Sequence, residues 1–316
     1  MIFKLALRRL ALGVLTLFVV SVLIFSVTEL LPGDVATAIL GQGATPEAVA
    51  EIHRELDLDH PAYVRYGRWL EGFLEGDFGN SLTTSEPVSV QLVPRLMDTL
   101  ALAGLAALVA VPLAIALGLL AAIFEGGIID KIITTLSLGT ISVPEFFMGY
   151  LLIIVLATKL QLFPSLALVE PGMGLFERIY AMALPALTLT FVVMAHMMRM
   201  TRAAVIDVLQ RPYIEMARLK GIKPWRVVIQ HALPNALGPI VTVVALNLAY
   251  LVVGVVVVEV VFVYPGMGQY LVDAVSKRDM PVVQACVLIF ALVYVLLNLL
   301  ADIVGILANP RLRHPR

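Results

Sequence analysis

The chain has 316 residues, of which 60% are hydrophobic and only 14% charged, and its mean hydropathy is +0.96. So few charges cannot cover a soluble domain of this size, so the composition excludes a water-soluble protein and defines an integral membrane protein. The formal charge of −1 is near neutral and no nucleic-acid partner is expected; the single cysteine, Cys286, excludes an internal disulfide and a thiol-based zinc site.

A hydrocarbon core about 30 Å thick takes roughly 20 apolar residues in helical form, and several segments reach that length. The first covers residues 10–31. Lys4, Arg8 and Arg9 precede it, as in a secretory signal peptide, but the stretch is too long for a signal core and no small-residue cleavage site follows, so a retained span is expected. Residues 32–95 then form an insertion far longer than a connection between helices needs. Within it Thr45, Pro46 and Glu47 read as an N-cap, a first-position proline and a first-turn acid, and Val49, Ile52 and Leu56 continue at helical spacing. A second short helix is expected over residues 62–74, with Tyr63, Tyr66, Trp69, Leu70 and Phe73 as its face; these aromatics either meet a partner or pack inward, and inward packing is favoured. The run Gly76-Asp77-Phe78-Gly79-Asn80-Ser81 reads as a turn-rich return toward the membrane.

The other spans are expected over residues 99–124, 132–157, 179–198, 236–263 and 281–307. With six spans both termini share one side. Lys and Arg near short loops are retained in the cytoplasm. With the N-terminus inside, that side carries Lys4, Arg8, Arg9, Lys131, Arg199, Arg202, Arg211, Arg218, Lys220, Lys223, Arg226, Arg311, Arg313 and Arg316, which are 14 of the 22 Lys and Arg. Pro112, Pro144, Pro185 and Pro239 fall within spans and bend or unwind them. Glu145 lies about 20 Å along its helix, within the core, so it and Pro144 are candidate pore-lining residues; a protonated or helix-bonded carboxyl is the alternative. Glu259 and Asp302 come later in their spans and are expected at the interfaces or in a local hydrogen bond. Pro-Gly-Met-Gly occurs at residues 171–174 and 265–268, which is read as a shared turn geometry rather than a duplication.

Residues 199–234 carry seven of the cations and are too long for a simple connection. After Arg211-Pro212 a helix is expected from Tyr213 to Lys220. Gly221 ends it in a left-handed conformation, and Lys223-Pro224 starts another that runs past Trp225 to Leu233-Pro234. Two short helices joined at a glycine make a rigid knob. His53, His60, His196, His231 and His314 are scattered, and no metal pair, nucleophile elbow or phosphate-cradling loop is present, so no catalytic residue, metal or cofactor is expected and any ATP is bound by another chain.

Glu215-Met216-Ala217, Gly221 and His231-Ala232-Leu233-Pro234, at this spacing, resemble the EAA loop of the permease subunits of ABC importers. Met216 stands in place of the first alanine and His231 in place of the usual isoleucine; the His231 form followed by Asn235-Ala236 resembles the dipeptide, oligopeptide and nickel branch. Leu31-Pro32-Gly33-Asp34, Leu56-Asp57-Leu58-Asp59-His60-Pro61, the Gly76 run, Ser142-Val143-Pro144 with Phe146, Leu184-Pro185-Ala186, Arg199 with Arg202, and Glu259 with Tyr264-Pro265-Gly266-Met267-Gly268 resemble the first of the two permeases of that branch. The resemblance therefore covers essentially the whole chain.

It implies an all-α polytopic membrane protein, one permease domain over residues 1–316. Six transmembrane helices carry a helical extracytoplasmic insertion between the first and second and a cytoplasmic coupling helix between the fourth and fifth. The implied setting is the lipid of a bacterial or archaeal cytoplasmic membrane. The implied partners are a second permease that completes a heterodimeric pore, two cytoplasmic ATPase subunits, and an extracytoplasmic substrate-binding protein that lands partly on the insertion. Glu215, Ala217, Arg218, Gly221, Leu233 and Pro234 become the ATPase-coupling residues, with Glu215 and Arg218 supplying contacts that differ between states. Di- or oligopeptides are the expected cargo, with nickel chelates, glutathione or oligosaccharides as alternatives. An ion-coupled secondary transporter acting alone is the alternative of another class and predicts uptake without nucleotide hydrolysis. A membrane-embedded enzyme is disfavoured because no paired acid, base or metal constellation is visible.

Overall fold

A backbone N–H or C=O left unpaired in hydrocarbon is costly, so a spanning segment satisfies these groups within its own helix. The computed structural model describes residues 2–30, 45, 46, 60–170 and 172–308, and among these no strand occurs beyond an isolated bridge between Asn80 and Pro87. Beyond Pro46 the helix expected over residues 46–56 lies outside the described residues, as do the cations Arg311, Arg313 and Arg316.

In chain order the helices are α1 (Ile2–Leu30), α2 (Ala62–Glu75), α3 (Val88–Ile123), α4 (Ile128–Ser142), α5 (Glu145–Leu152), α6 (Leu175–Ala181), α7 (Ala183–Leu209), α8 (Pro212–Leu219), α9 (Pro224–Arg226), α10 (Leu233–Phe262), α11 (Met267–Lys277) and α12 (Met280–Ala308). Wider π-helical turns follow α5 (Ile153–Lys159) and link α9 to α10 (Val227–Ala232). Among the described residues five helices are long and apolar enough to cross a membrane, and α4 with α5 makes a sixth if the bent pair counts as one span.

The core lies where α3, α7 and α10 meet. Ala106, Ala110, Ala114 and Gly118 recur at every fourth position of α3 and are all buried, so the α7 backbone comes close. A Cβ on Gly118 would stand 2.8 Å from Thr201 Cβ and 2.9 Å from the Met198 carbonyl oxygen. Thr190 Oγ1 donates across the same seam to the Ala106 carbonyl at 3.3 Å. α12 packs on α10 and carries α1 on its other side, where a Cβ on Gly13 would reach within 2.7 Å of Val295 Cγ1. Arg9 on α1 pairs with Asp302 on α12 at 3.2 Å, which gives Asp302 its partner.

Several expectations shift. The fourth span, expected over residues 179–198, runs from Ala183 to Leu209, because Arg199 and Arg202 sit on a helix that beyond them still buries Thr201, Val205, Val208 and Leu209. The first third of the basic segment is thus the end of α7. The third span, expected over residues 132–157, is two helices bent by 105°. Val143 and Pro144 are extended, Pro144 has no N–H to give, and the Met148 N–H bonds back to the Pro144 carbonyl at 3.0 Å, so helical pairing restarts there. In the insertion, Tyr66, Trp69 and Phe73 turn inward: Phe25 lies 5.4 Å from the Tyr66 ring, and Phe73 lies 5.1 Å from Phe78. Tyr63 does not join them and is exposed, since it sits three residues before Tyr66 at the open end of the helix.

Candidate functional site

Arg211 is extended and Pro212 opens α8 at its first position, where a missing N–H costs nothing. Ile214 and Ala217, three residues apart, are both buried, and Ile214 packs in one cluster with Val205, Val208 and Leu209 of α7 and with Val227, Val228 and Ala232 beyond the turn. Gly221 has φ +75 and its N–H bonds to the Arg218 carbonyl at 2.9 Å, while the Ile222 N–H reaches the Ala217 carbonyl at 3.3 Å. That is a glycine-ended helix of the expected form. Glu215 and Arg218 point to solvent, Leu233 is half-buried, and Pro234 is exposed in the first turn of α10.

What the charges concealed is an apolar surface between them. Tyr213, Met216, Leu219 and Trp225 are exposed, Met216 at 56% and Leu219 at 74%, and the Arg226 guanidinium lies 5.2 Å from the Trp225 ring centroid. The inward pair uses up one face of a two-turn helix, so Met216 and Leu219 must face out.

Beside the knob, Arg202 on α7 grips Asp130 at the start of α4 with both arms, Nε to Oδ1 and Nη2 to Oδ2, each at 2.7 Å. The Gly126 N–H adds a bond to Oδ2 at 2.9 Å and Thr134 Oγ1 one to Oδ1 at 3.2 Å. Such bidentate geometry is the strong form of a carboxylate–guanidinium contact. Sequence reasoning counted Arg202 as a topology cation and as part of the family resemblance but overlooked Asp130, although a carboxylate in the first turn of a membrane helix is itself a signal.

Pro144 and Glu145 stand at the break between α4 and α5. Glu145 is half-buried in the first turn of α5 rather than midway along a straight helix, and it accepts a hydrogen bond from the Tyr250 hydroxyl of α10 at 3.2 Å. Around it Phe146, Phe147 and Tyr150 are exposed, as are Leu246, Tyr250, Val253, Val257 and Val260, which form one stripe of α10.

The opposite end of the bundle is tied differently. Glu259, expected at an interface or in a local hydrogen bond, is fully buried. Thr99 Oγ1 donates to its Oε1 at 2.6 Å, and the N–H groups of Gly268 and Gln269 donate to Oε2 at 2.7 and 3.1 Å. The carboxylate of α10 therefore caps the start of α11 and joins it to α3, a placement helix N-termini favour. A Cβ on Gly268 would stand 2.7 Å from Val256 Cα, and one on Gly266 would strike Glu259 itself. The two Pro-Gly-Met-Gly runs do not share a turn: Gly172 has φ +96, whereas Gly266 is extended because Glu259 draws the next N–H groups onto itself. Tyr264 donates from its hydroxyl to the Asp98 carbonyl at 2.8 Å, and burial holds that phenol above its ordinary range, so it remains a donor. Buried Asp279 receives Ser81 Oγ at 2.5 Å and the Leu82 N–H at 3.1 Å, which anchors the Gly76–Ser81 turn to the start of α12. Among the described residues no group of His, Cys, Asp or Glu is placed to hold a metal ion.

A bundle of long apolar helices, with two shorter ones bent at a proline and a glycine-ended helix pair at one end, defines a multi-pass membrane protein. The chain belongs to the family described as binding-protein-dependent transport system inner membrane component, which it matches over residues 114–314, with the matching N-terminal component over residues 2–103. A probable peptide ABC transporter permease protein of Sinorhizobium fredii is 37% identical over 308 residues, covering 98% of each chain. A glutathione transport system permease protein of Escherichia coli is 38% identical over 299 residues, 95% of each. The inward-facing MetNI methionine ABC transporter superposes with a TM-score of 0.55 at 20% identity, over 72% of this chain and all of that one, which establishes a shared fold. The protein is thus an ABC importer permease of the inner membrane; ATPase and binding-protein partners act with it, and ATP hydrolysis belongs to the separate ATPase subunits.

Proposed function

We propose that this chain imports di- or oligopeptides as one of two different permease subunits that together enclose the pore. Its termini and α8 face the cytoplasm, α4 with α5 counts as a single broken span, and the α2 end receives the loaded binding protein. The observation that carries the coupling role is the exposure pattern of α8: Ile214 and Ala217 fix it to the bundle while Tyr213, Met216, Leu219 and Trp225 stay uncovered. An apolar patch held on a rigid base fits a cleft on an ATPase subunit. Glu215 and Arg218 flank that patch and orient the contact, Gly221 sets its angle, and Leu233 with Pro234 joins it to α10. Support for the cargo comes from relatives named for peptides and for glutathione, itself a tripeptide.

Pro144 and Glu145 line the path in this proposal, since the break brings a carboxylate to the edge of an exposed stripe. Native mass spectrometry of the intact complex tests the assembly: it is expected to contain this chain, a second permease, two ATPase subunits and a peptide-sized ligand on the binding protein. A mass that fits two copies of this chain, or a nickel chelate or oligosaccharide as ligand, contradicts the corresponding part. Met216→Asp is expected to release the ATPase subunits while the permease pair survives.

A further inference from the structure

We infer that the Asp130–Arg202 pair is a coupling strut: it carries movement of the α8 knob into α4 and so to the break at Pro144. The inference rests on α8 being the ATPase contact. Three observations lead to it. The apolar base of the knob is the end of α7, through Val205, Val208 and Leu209, and Arg202 stands one turn further along that same helix. Displacement of α8 therefore reaches Arg202 through close-packed side chains, which transmit strain rather than absorb it.

Next, α4 rests on α3 and α7 through few deeply buried side chains. Of its residues only Asp130 and Ser137 are buried, and between α4, α3 and α7 lies a cavity of about 280 Å³ lined by Leu117, Ile133, Leu136, Phe191, Met194 and Met198. A helix with such a cleft along one side has room to rock against its neighbour, and the ion pair at Asp130 ties its first turn to α7. At its far end α4 meets the Val143-Pro144 break, beyond which α5 is pinned. A Cβ on Gly149 would approach Phe262 Cε2 and Val261 Cγ1 to 3.2 Å, and Tyr250 holds Glu145. One end gripped, one end hinged and a gap alongside make α4 a lever whose output is the angle at Glu145. Asp130 and Arg202 are positioning residues: they touch neither nucleotide nor cargo.

The test needs no knowledge of the cargo. In the assembled, reconstituted complex with Cys286→Ala, a Phe146→Cys substitution places a thiol beside the break, and its rate of reaction with a water-soluble maleimide is compared without nucleotide and with ATP plus vanadate. A rate ratio of about 10-fold is expected with Asp130 and Arg202 in place, the scale of ordinary intersite coupling. Arg202→Gln is expected to bring the ratio near 1 while ATP hydrolysis continues, and the exchanged pair Asp130→Arg with Arg202→Asp to restore part of it. Arg202→Lys, which keeps the charge but loses the two-armed grip, is expected to give an intermediate ratio and decides the matter if Arg202→Gln does not assemble. A ratio that survives Arg202→Gln or Arg202→Lys, one absent even in the parent, or one lost only in proportion to hydrolysis overturns the strut. Loss of the ATPase contact itself is read separately, by whether Met216→Asp still co-purifies with the ATPase subunits.

Discussion

The α3–α7 pair and the α4–α5 pair are built from the same apolar residues and hold themselves in opposite ways. α3 lays a small residue every fourth position along α7, ending at Gly118 where the two backbones nearly touch. α4 leaves a cleft along part of its seam with the same α7 and is clamped there by the Asp130–Arg202 pair. Close packing makes a frame, and a gap with a clamp makes a moving part. The difference is written in side-chain size rather than in hydrophobicity, which is uniformly high in both.

Matched substitutions break or sharpen that contrast. The largest effect is expected from Gly118→Val on the frame side. Its Cβ meets backbone and a β-branched side chain, and thermal unfolding of the detergent-solubilised chain should show a loss of about 3 kcal/mol. Gly139→Ala on the mobile side, where a Cβ finds nothing within 4 Å, should change stability by less than about 0.5 kcal/mol. Glu259→Ala strips partners from Thr99 and from the Gly268 and Gln269 N–H groups, and about 2 kcal/mol is expected in the same assay.

Gly221→Asp comes next. The surroundings are open, so only the left-handed backbone opposes it, at about 1 kcal/mol. ATP-dependent uptake should nonetheless collapse while circular dichroism of the membrane helices is retained, because the angle of the knob changes. Glu145→Gln should cost about 0.5 kcal/mol of stability, for one hydrogen bond on a half-exposed group. Its effect should appear in competition uptake assays as an altered preference between cationic and anionic peptides, and identical preference removes Glu145 from the path.

Legibility followed the range of the interaction. Gly221, Pro212 and Pro144 act on their own backbone, so the knob and the break were visible in the sequence. Ile214 and Ala217 were visible as apolar residues, but which apolar residues faced out needed the α7 end against which they pack. Glu259 and Asp279 were out of reach: Thr99 lies 160 positions from Glu259, and Ser81 lies 198 from Asp279. A rule based on depth along a helix sent Glu259 to an interface because it cannot register a neighbouring helix N-terminus that satisfies a buried carboxylate. Asp130 was missed for the same reason, its partner standing 72 positions away on α7.

The contrast between frame and moving part is tested most directly by distances between spin labels in the assembled complex, nucleotide-free and with ATP bound. One pair is placed at Leu138 on α4 and Met200 on α7, the other at Leu113 on α3 and Met200, all exposed positions. The account predicts that the α4–α7 distance shifts by several ångström between the two conditions while the α3–α7 distance stays fixed. Equal shifts in both pairs, or none in either, would contradict it.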